Sequence, residues 1–148
     1  MPKTVYCRHH SEIEVPFFDV DSMQIVWHGH YVKYLEIARC AFLDALGYNY
    51  RTMREQGHMW PVVKMDLKYI RPAQFGQKIR AEVMLTEYES CLSLEYVLRD
   101  AATGSKLTQA STTQVAVALA DGEMQYQTPP CWQQTVRLFI DQHHPVAG

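Results

Sequence analysis

The chain has 148 residues, 47% of them hydrophobic and 20% charged, with a formal net charge of -2. That is enough apolar material for one cored domain, expected to span residues 1–148, and it carries no signature of disorder. So slight a charge gives no electrostatic case for nucleic acid, which calls for a concentrated basic surface, while a local basic patch for an anionic ligand stays open. The opening MPKTVYCRHH has no apolar run of the secretory kind, no stretch is long enough to span a bilayer, and the four cysteines form no CxxC pair. The expectation is a cytoplasmic protein with reduced thiols and no membrane partner.

Residues 12–18, EIEVPFF, alternate: Ile13, Val15 and Phe17 share one side of an extended chain, with Glu12 and Glu14 opposite. This predicts a first strand, with Pro16 marking an edge or a bend. From about Gly29 to Leu46 the period changes. Tyr31, Leu35, Ala38, Phe42 and Ala45 fall on one helical face, Val32, Ile37, Leu43 and Leu46 widen the apolar surface, and Gly47 is placed to stop the helix. Residues 50–59 are polar and read as a short helix or loop. Alternation returns in WPVVKMDLKYIRP, in KIRAEVMLTEYE with Ile79, Ala81, Val83 and Leu85 inward, and in LSLEYVLRD with Leu92, Leu94, Tyr96 and Leu98 inward. A last strand is expected from about Lys106 to Leu119, and a short C-terminal helix begins at the prolines before Cys131.

The order is strand, long helix, then a run of consecutive strands expected to form an antiparallel meander. A lone long helix packed on such a sheet is an α+β arrangement, and a five-stranded antiparallel sheet wrapped around a central helix is the hot-dog fold.

The run FFDVDSMQIVWHGHYVKYLEIAR resembles the 4-hydroxybenzoyl-CoA thioesterase family of hot-dog acyl-CoA thioesterases. Phe18, Asp19, Asp21, Ile25, Val26, Trp27, His28, Tyr31, Glu36, Ala38 and Arg39 fill the places of that family's signature, and LKYIRPAQFGQKI resembles its later strand-turn-strand segment. Met23 and Gln24 stand where the family loop often has glycine, and His30 stands where it has asparagine. The founding branch follows its third strand with a basic cluster, and here that stretch is ESC, residues 89–91.

The resemblance implies hydrolysis of an acyl-CoA, or of an acyl-carrier-protein thioester, to free acid and thiol. Such a reaction needs a nucleophile at the carbonyl carbon and donors for the oxygen as it gains charge. The resemblance gives the first role to Asp21, either attacking directly or deprotonating water. The second falls to unpaired amides at the helix start, where Gly29 lets backbone approach the acyl group closely and His28 polarises or positions. Met23, Trp27, His30 and Tyr31 are expected to line the substrate pocket, with Trp60 reaching it from the other side.

Plainer readings stand beside these. Asp19 and Asp21 suit Asx turns, and Asp19 is expected to be structural. His28 and His30 lack a defined third ligand, so no metal and no cofactor are expected. Glu36 and Arg39 read as an ordinary helical ion pair. The rival functions are a hot-dog acyl-thioester hydratase or dehydratase using His28 and Glu36, and a non-catalytic acyl-thioester-binding module. An open sheet edge and a small domain imply a homodimer or homotetramer, and related hot-dog proteins place their sites at subunit interfaces.

Overall fold

Alternating apolar residues build a sheet, and one helical stretch covers its inner face. The computed structural model describes residues 4–143, so residues 1–3 and 144–148 of the expected domain lie outside the described residues. In chain order the elements are β1 (Cys7–Glu14), α1 (His30–Leu46), α2 (Tyr50–Glu55), β2 (His58–Met59), β3 (Val62–Tyr69), β4 (Lys78–Glu87), β5 (Leu92–Asp100), β6 (Lys106–Gln114), β7 (Val117–Ala118) and α3 (Pro130–His143). The five long strands form one antiparallel sheet in the order β1-β4-β5-β6-β3, and β2 pairs separately with β7. The arrangement is α+β, a hot-dog fold.

α1 forms where the apolar spacing places it. Tyr31, Tyr34, Leu35, Ala38, Phe42, Leu43 and Leu46 are buried along it. Gly47 ends it in the left-handed region at φ 77, and its N–H reaches back to the Asp44 carbonyl. A residue with a Cβ is disfavoured there, which is why glycine follows the last turn. The opposing wall is Ile79, Ala81, Val83 and Leu85 of β4 with Leu92, Leu94, Tyr96 and Leu98 of β5, all buried. Each large apolar side chain fully removed from water contributes about 1.5–3 kcal/mol.

Two expectations change. The first strand is Cys7–Glu14, not residues 12–18: it pairs with β4 along its whole length, and the chain leaves the sheet before Pro16, which has no N–H to offer a ladder. A single turn of 3-10 helix, Phe17–Asp19, follows and leaves Phe17 exposed. The meander holds only for β4, β5 and β6. β3 joins β6 at the far edge, because β1 already occupies the free side of β4. The segment between β3 and β4 therefore crosses the domain and passes the start of α1.

The Glu36–Arg39 pair also differs from a surface ion pair. Arg39 is only 4% exposed. Its Nε donates to the Tyr50 hydroxyl at 2.7 Å, while the exposed Glu36 lies 3.5 Å from its Nη2. Among the described residues no helix is long and apolar enough to cross a membrane.

Candidate active site

The D-x-D segment folds as a tight hairpin clipped to the crossing segment. Val20 bridges Val26 and Ile25 bridges Gln74. Within it the Asp21 N–H donates to the Ile25 carbonyl and the Gln24 N–H to the Asp21 carbonyl, each at 2.9 Å. Val26 N–H donates to the Ala73 carbonyl at 2.8 Å, fixing the hairpin to the turn before β4. Gln24 sits at φ 66, the only residue other than glycine at positive φ among the described residues.

The two acids of the motif end in opposite environments. Asp19 is 1% exposed. Both its oxygens lie 2.6 Å from Lys33 Nζ, Tyr34 donates its hydroxyl at 2.6 Å, and His30 Nδ1 stands 3.8 Å away. Burial alone would raise the Asp19 carboxyl. The hydrogen bonds from Lys33 and Tyr34, with the charges of Lys33 and His30, outweigh it and hold the carboxyl below the usual range. Asp21 is exposed. Its Oδ1 accepts from the Met23 N–H at 2.8 Å in an Asx turn, and its Oδ2 has no partner among the described residues. One oxygen is thus held by the loop and the other is free.

At the start of α1 the first amides are unequal. His30 N–H donates to the Trp27 carbonyl and Tyr31 N–H to the His28 carbonyl, at 2.9 and 3.3 Å. The N–H groups of His28 and Gly29 have no partner among the described residues, so two backbone donors stand open at this point. Gly29 has ordinary helical dihedrals. Its need for a hydrogen side chain is steric: a Cβ there would overlap the indole of Trp27. That indole also packs against His28 and His30, with ring centroids 5.0 and 5.5 Å apart.

Beside these amides is a cavity of about 190 Å³ lined by Val26, His28, Tyr31, Tyr69, Ile70 and Arg71. Of the residues expected from sequence, His28, Gly29 and Trp27 cluster at this point. Tyr31 lines the cavity while its hydroxyl accepts from the Ala73 N–H at 2.9 Å, so it also holds the crossing segment. Met23 is exposed on the hairpin, and His30 faces Asp19 and Trp27. Trp60 belongs to a second cavity, of about 410 Å³, lined by Tyr50, Met53, His58, Met59, Pro61 and Leu119. Lys33 and Tyr69 escape a reading of sequence. Lys33 is legible only as one more cation on an amphipathic helix, and Tyr69, whose hydroxyl donates to the His28 carbonyl at 3.3 Å, reaches the site from the far edge strand.

The family model of the thioesterase-like superfamily matches residues 15–138. The chain belongs to that superfamily. It is 32% identical over 77 residues to "Putative acyl-CoA thioesterase YneP" of Bacillus subtilis, a match covering 52% of this chain and 56% of that protein. The chain thus spans a little over half the length of that relative. In fold it is similar to a 1,4-dihydroxy-2-naphthoyl-CoA thioesterase from Synechocystis, at TM-score 0.80 and 19% identity over 88% of this chain and 96% of the other. It is also similar to a 4-hydroxybenzoyl-CoA thioesterase in complex with 4-hydroxybenzoyl-CoA, at TM-score 0.76 and 16% identity over 87% and 98% of the two chains.

Proposed function

We propose that the protein is an acyl-CoA thioesterase, hydrolysing an acyl-CoA to free acid and CoA in the cytoplasm. The observation that carries this reading is that the hairpin bearing Asp21, with one carboxylate oxygen free, runs directly into the helix start where the His28 and Gly29 amides have no partner among the described residues. Asp21 acts on the carbonyl carbon, by direct attack or through a water it deprotonates. The His28 and Gly29 amides receive the oxygen as it gains charge, aided by the positive end of the α1 dipole. The thiolate of CoA then departs. Exposed Phe17, Phe18, Met23 and Phe75 around the hairpin form an apolar collar of the kind that a second body covers, and Arg71 supplies a cation at the cavity wall.

The working unit is a homodimer built on β3. The other edge, β1, presents Arg8, Glu12 and Glu14, charges that discourage pairing. β3 also carries exposed Lys64, Asp66 and Lys68, of mixed sign, but adds exposed Val62, Val63 and Tyr69, with Val63 57% exposed. Two copies of β3 pairing antiparallel about the Met65–Asp66 step set Val62 of one protomer opposite Tyr69 of its partner. Tyr69 touches His28, and Val62 follows the Trp60 cavity. The apolar cavity of one protomer thereby completes the reacting centre of the other, which gives Trp60 its place on the far side of the acyl group.

Thiol release from a panel of acyl-CoA thioesters tests the reading. Asp21→Asn removes nearly all of the rate, a fall of at least about 100-fold in kcat; a variant turning over as fast as the parent refutes the assignment.

A further inference from the structure

The outer face of the sheet, turned away from α1, carries a concentration of positive charge. Ile79 and Ala81 are fully buried in the core, so Arg80 between them turns outward, and Arg99 does the same beside buried Leu98. The two arginines are direct partners in the β4–β5 register, and the partner of Arg99 on β6 is Lys106. Three cations therefore stand in a row across three neighbouring strands. Like charges placed directly opposite each other in a sheet destabilise it, and none of these three side chains is buried in the core.

The acids nearby are already engaged. Glu82 Oε2 lies 2.8 Å from His10 Nε2, and Glu82 Oε1 lies 3.6 Å from Arg8 Nη1. Glu12, the register partner of Arg80 on β1, has its Oε1 3.9 Å from Lys78 Nζ. Asp100 alternates to the other face of β5 and accepts from Gln77 and from the Ala102 N–H. Arg99 Nη1 donates to the Gly104 carbonyl at 3.1 Å, and the side chains of Arg80 and Lys106 have no partner among the described residues. Arg80, Arg99, His10 and Glu82 line one cavity of about 190 Å³. With Glu82 held by Arg8 and His10, two guanidiniums face this space with no carboxylate left to balance them.

We propose that this cavity binds a phosphoryl dianion, free or at the end of a larger phosphomonoester, through Arg80 and Arg99, with Lys106 adding attraction from the next strand. Pockets for drug-sized ligands run from about 300 to 1,000 Å³, so a space this small suits a compact anion. A guanidinium fork meets phosphoryl oxygens two at a time, and a doubly charged group matches two cations. The cavity opens on the face of the sheet opposite α1, apart from the hairpin and helix start proposed for hydrolysis, so it stands without that reading.

Calorimetry and thermal melts of the whole protein test this with sodium phosphate, sodium pyrophosphate and glycerol 3-phosphate, each against sodium chloride at equal ionic strength. At least one of the three binds with a Kd of about 1 mM or tighter and, at ten times that concentration, raises the melting temperature by about 3 °C or more over the chloride control. A response to inorganic phosphate marks a free anion as the ligand, and a response to the glycerol ester alone marks an ester end. Arg80→Gln with Arg99→Gln weakens the binding at least about tenfold. Arg80→Gln alone, which gives up no side-chain contact within the chain, weakens it several-fold and keeps the test open should the double variant fail to fold. Binding no stronger than chloride explains, or equal in parent and variants, overturns the proposal. Coenzyme A itself is the last arm: affinity for it unchanged by Arg80→Gln supports a separate site, and a loss parallel to that of the small anion gives the arginines to the thioester's carrier and overturns it.

Discussion

Asp19 and Asp21 are the same residue type two positions apart, and their surroundings divide the labour. Asp19 ties the hairpin to α1 through Lys33 and Tyr34, while its backbone carbonyl accepts the Trp27 N–H at 3.3 Å. It thereby sets the spacing between the Asp21 loop and the His28 and Gly29 amides. Its carboxyl is depressed in the folded state, so its contribution to stability is complete above the unfolded value, about pH 4. That contribution is lost as pH falls through the lower folded value. Asp19→Asn is expected to cost about 1.5–3 kcal/mol at neutral pH and to flatten the acid limb of the stability profile, read by urea denaturation at a series of pH values. Gly29→Ala pushes against an exposed indole that has room to swing, so its melting temperature changes little, but the new methyl and the displaced Trp27 crowd the two amides proposed as oxyanion donors. A fall in kcat of about tenfold or more, with the fold intact by circular dichroism, is the expected result. At Gln24 the left-handed backbone makes a β-branched substitute costly: Gln24→Val loses about 1–2 kcal/mol whereas Gln24→Gly does not, as thermal melts will show.

At the scale of elements, β3 is the strand with two jobs. One side of it pairs with β6, and its other edge is unpaired among the described residues and begins with exposed Val62 and Val63. Val62→Glu with Val63→Glu places charge on that edge at positions already in solvent. Stability is expected to stay within about 0.5 kcal/mol of the parent, while sedimentation shifts from dimer to monomer. A parent that already sediments as a monomer at micromolar concentration contradicts the β3 pairing. The role of β3 is also where the sequence is least informative. α1 was legible to within a residue because the Tyr31, Leu35, Ala38 and Phe42 spacing and the Gly47 stop are local signals. β4 and β5 were legible because Ile79 to Leu85 and Leu92 to Leu98 repeat an apolar residue at every second position. Alternation says which face a residue shows but not which strand lies alongside, so the seat of β3 next to β6 could not be read. The depth of Arg39 was hidden for a related reason. Its partners Tyr50 and Tyr96 come from two other elements, α2 and β5, and a cation at i+3 from Glu36 looks the same on a solvated helix.

On the scale of the molecule, the proposed reacting groups hang from the sheet's edge. The crossing segment leaves β3, where the Ile70 and Arg71 amides both reach the Leu107 carbonyl, at 2.9 and 3.0 Å, and then gives Ala73 to Val26 and Tyr31. Whatever steadies β3 therefore steadies the ground on which the carboxylate-bearing hairpin stands. If a twin strand supplies that support, catalytic power becomes a collective property rather than one owned by each polypeptide. Serial dilution would reveal it: turnover per chain should decline once the concentration drops beneath the dissociation constant of the pair, and should recover on reconcentration.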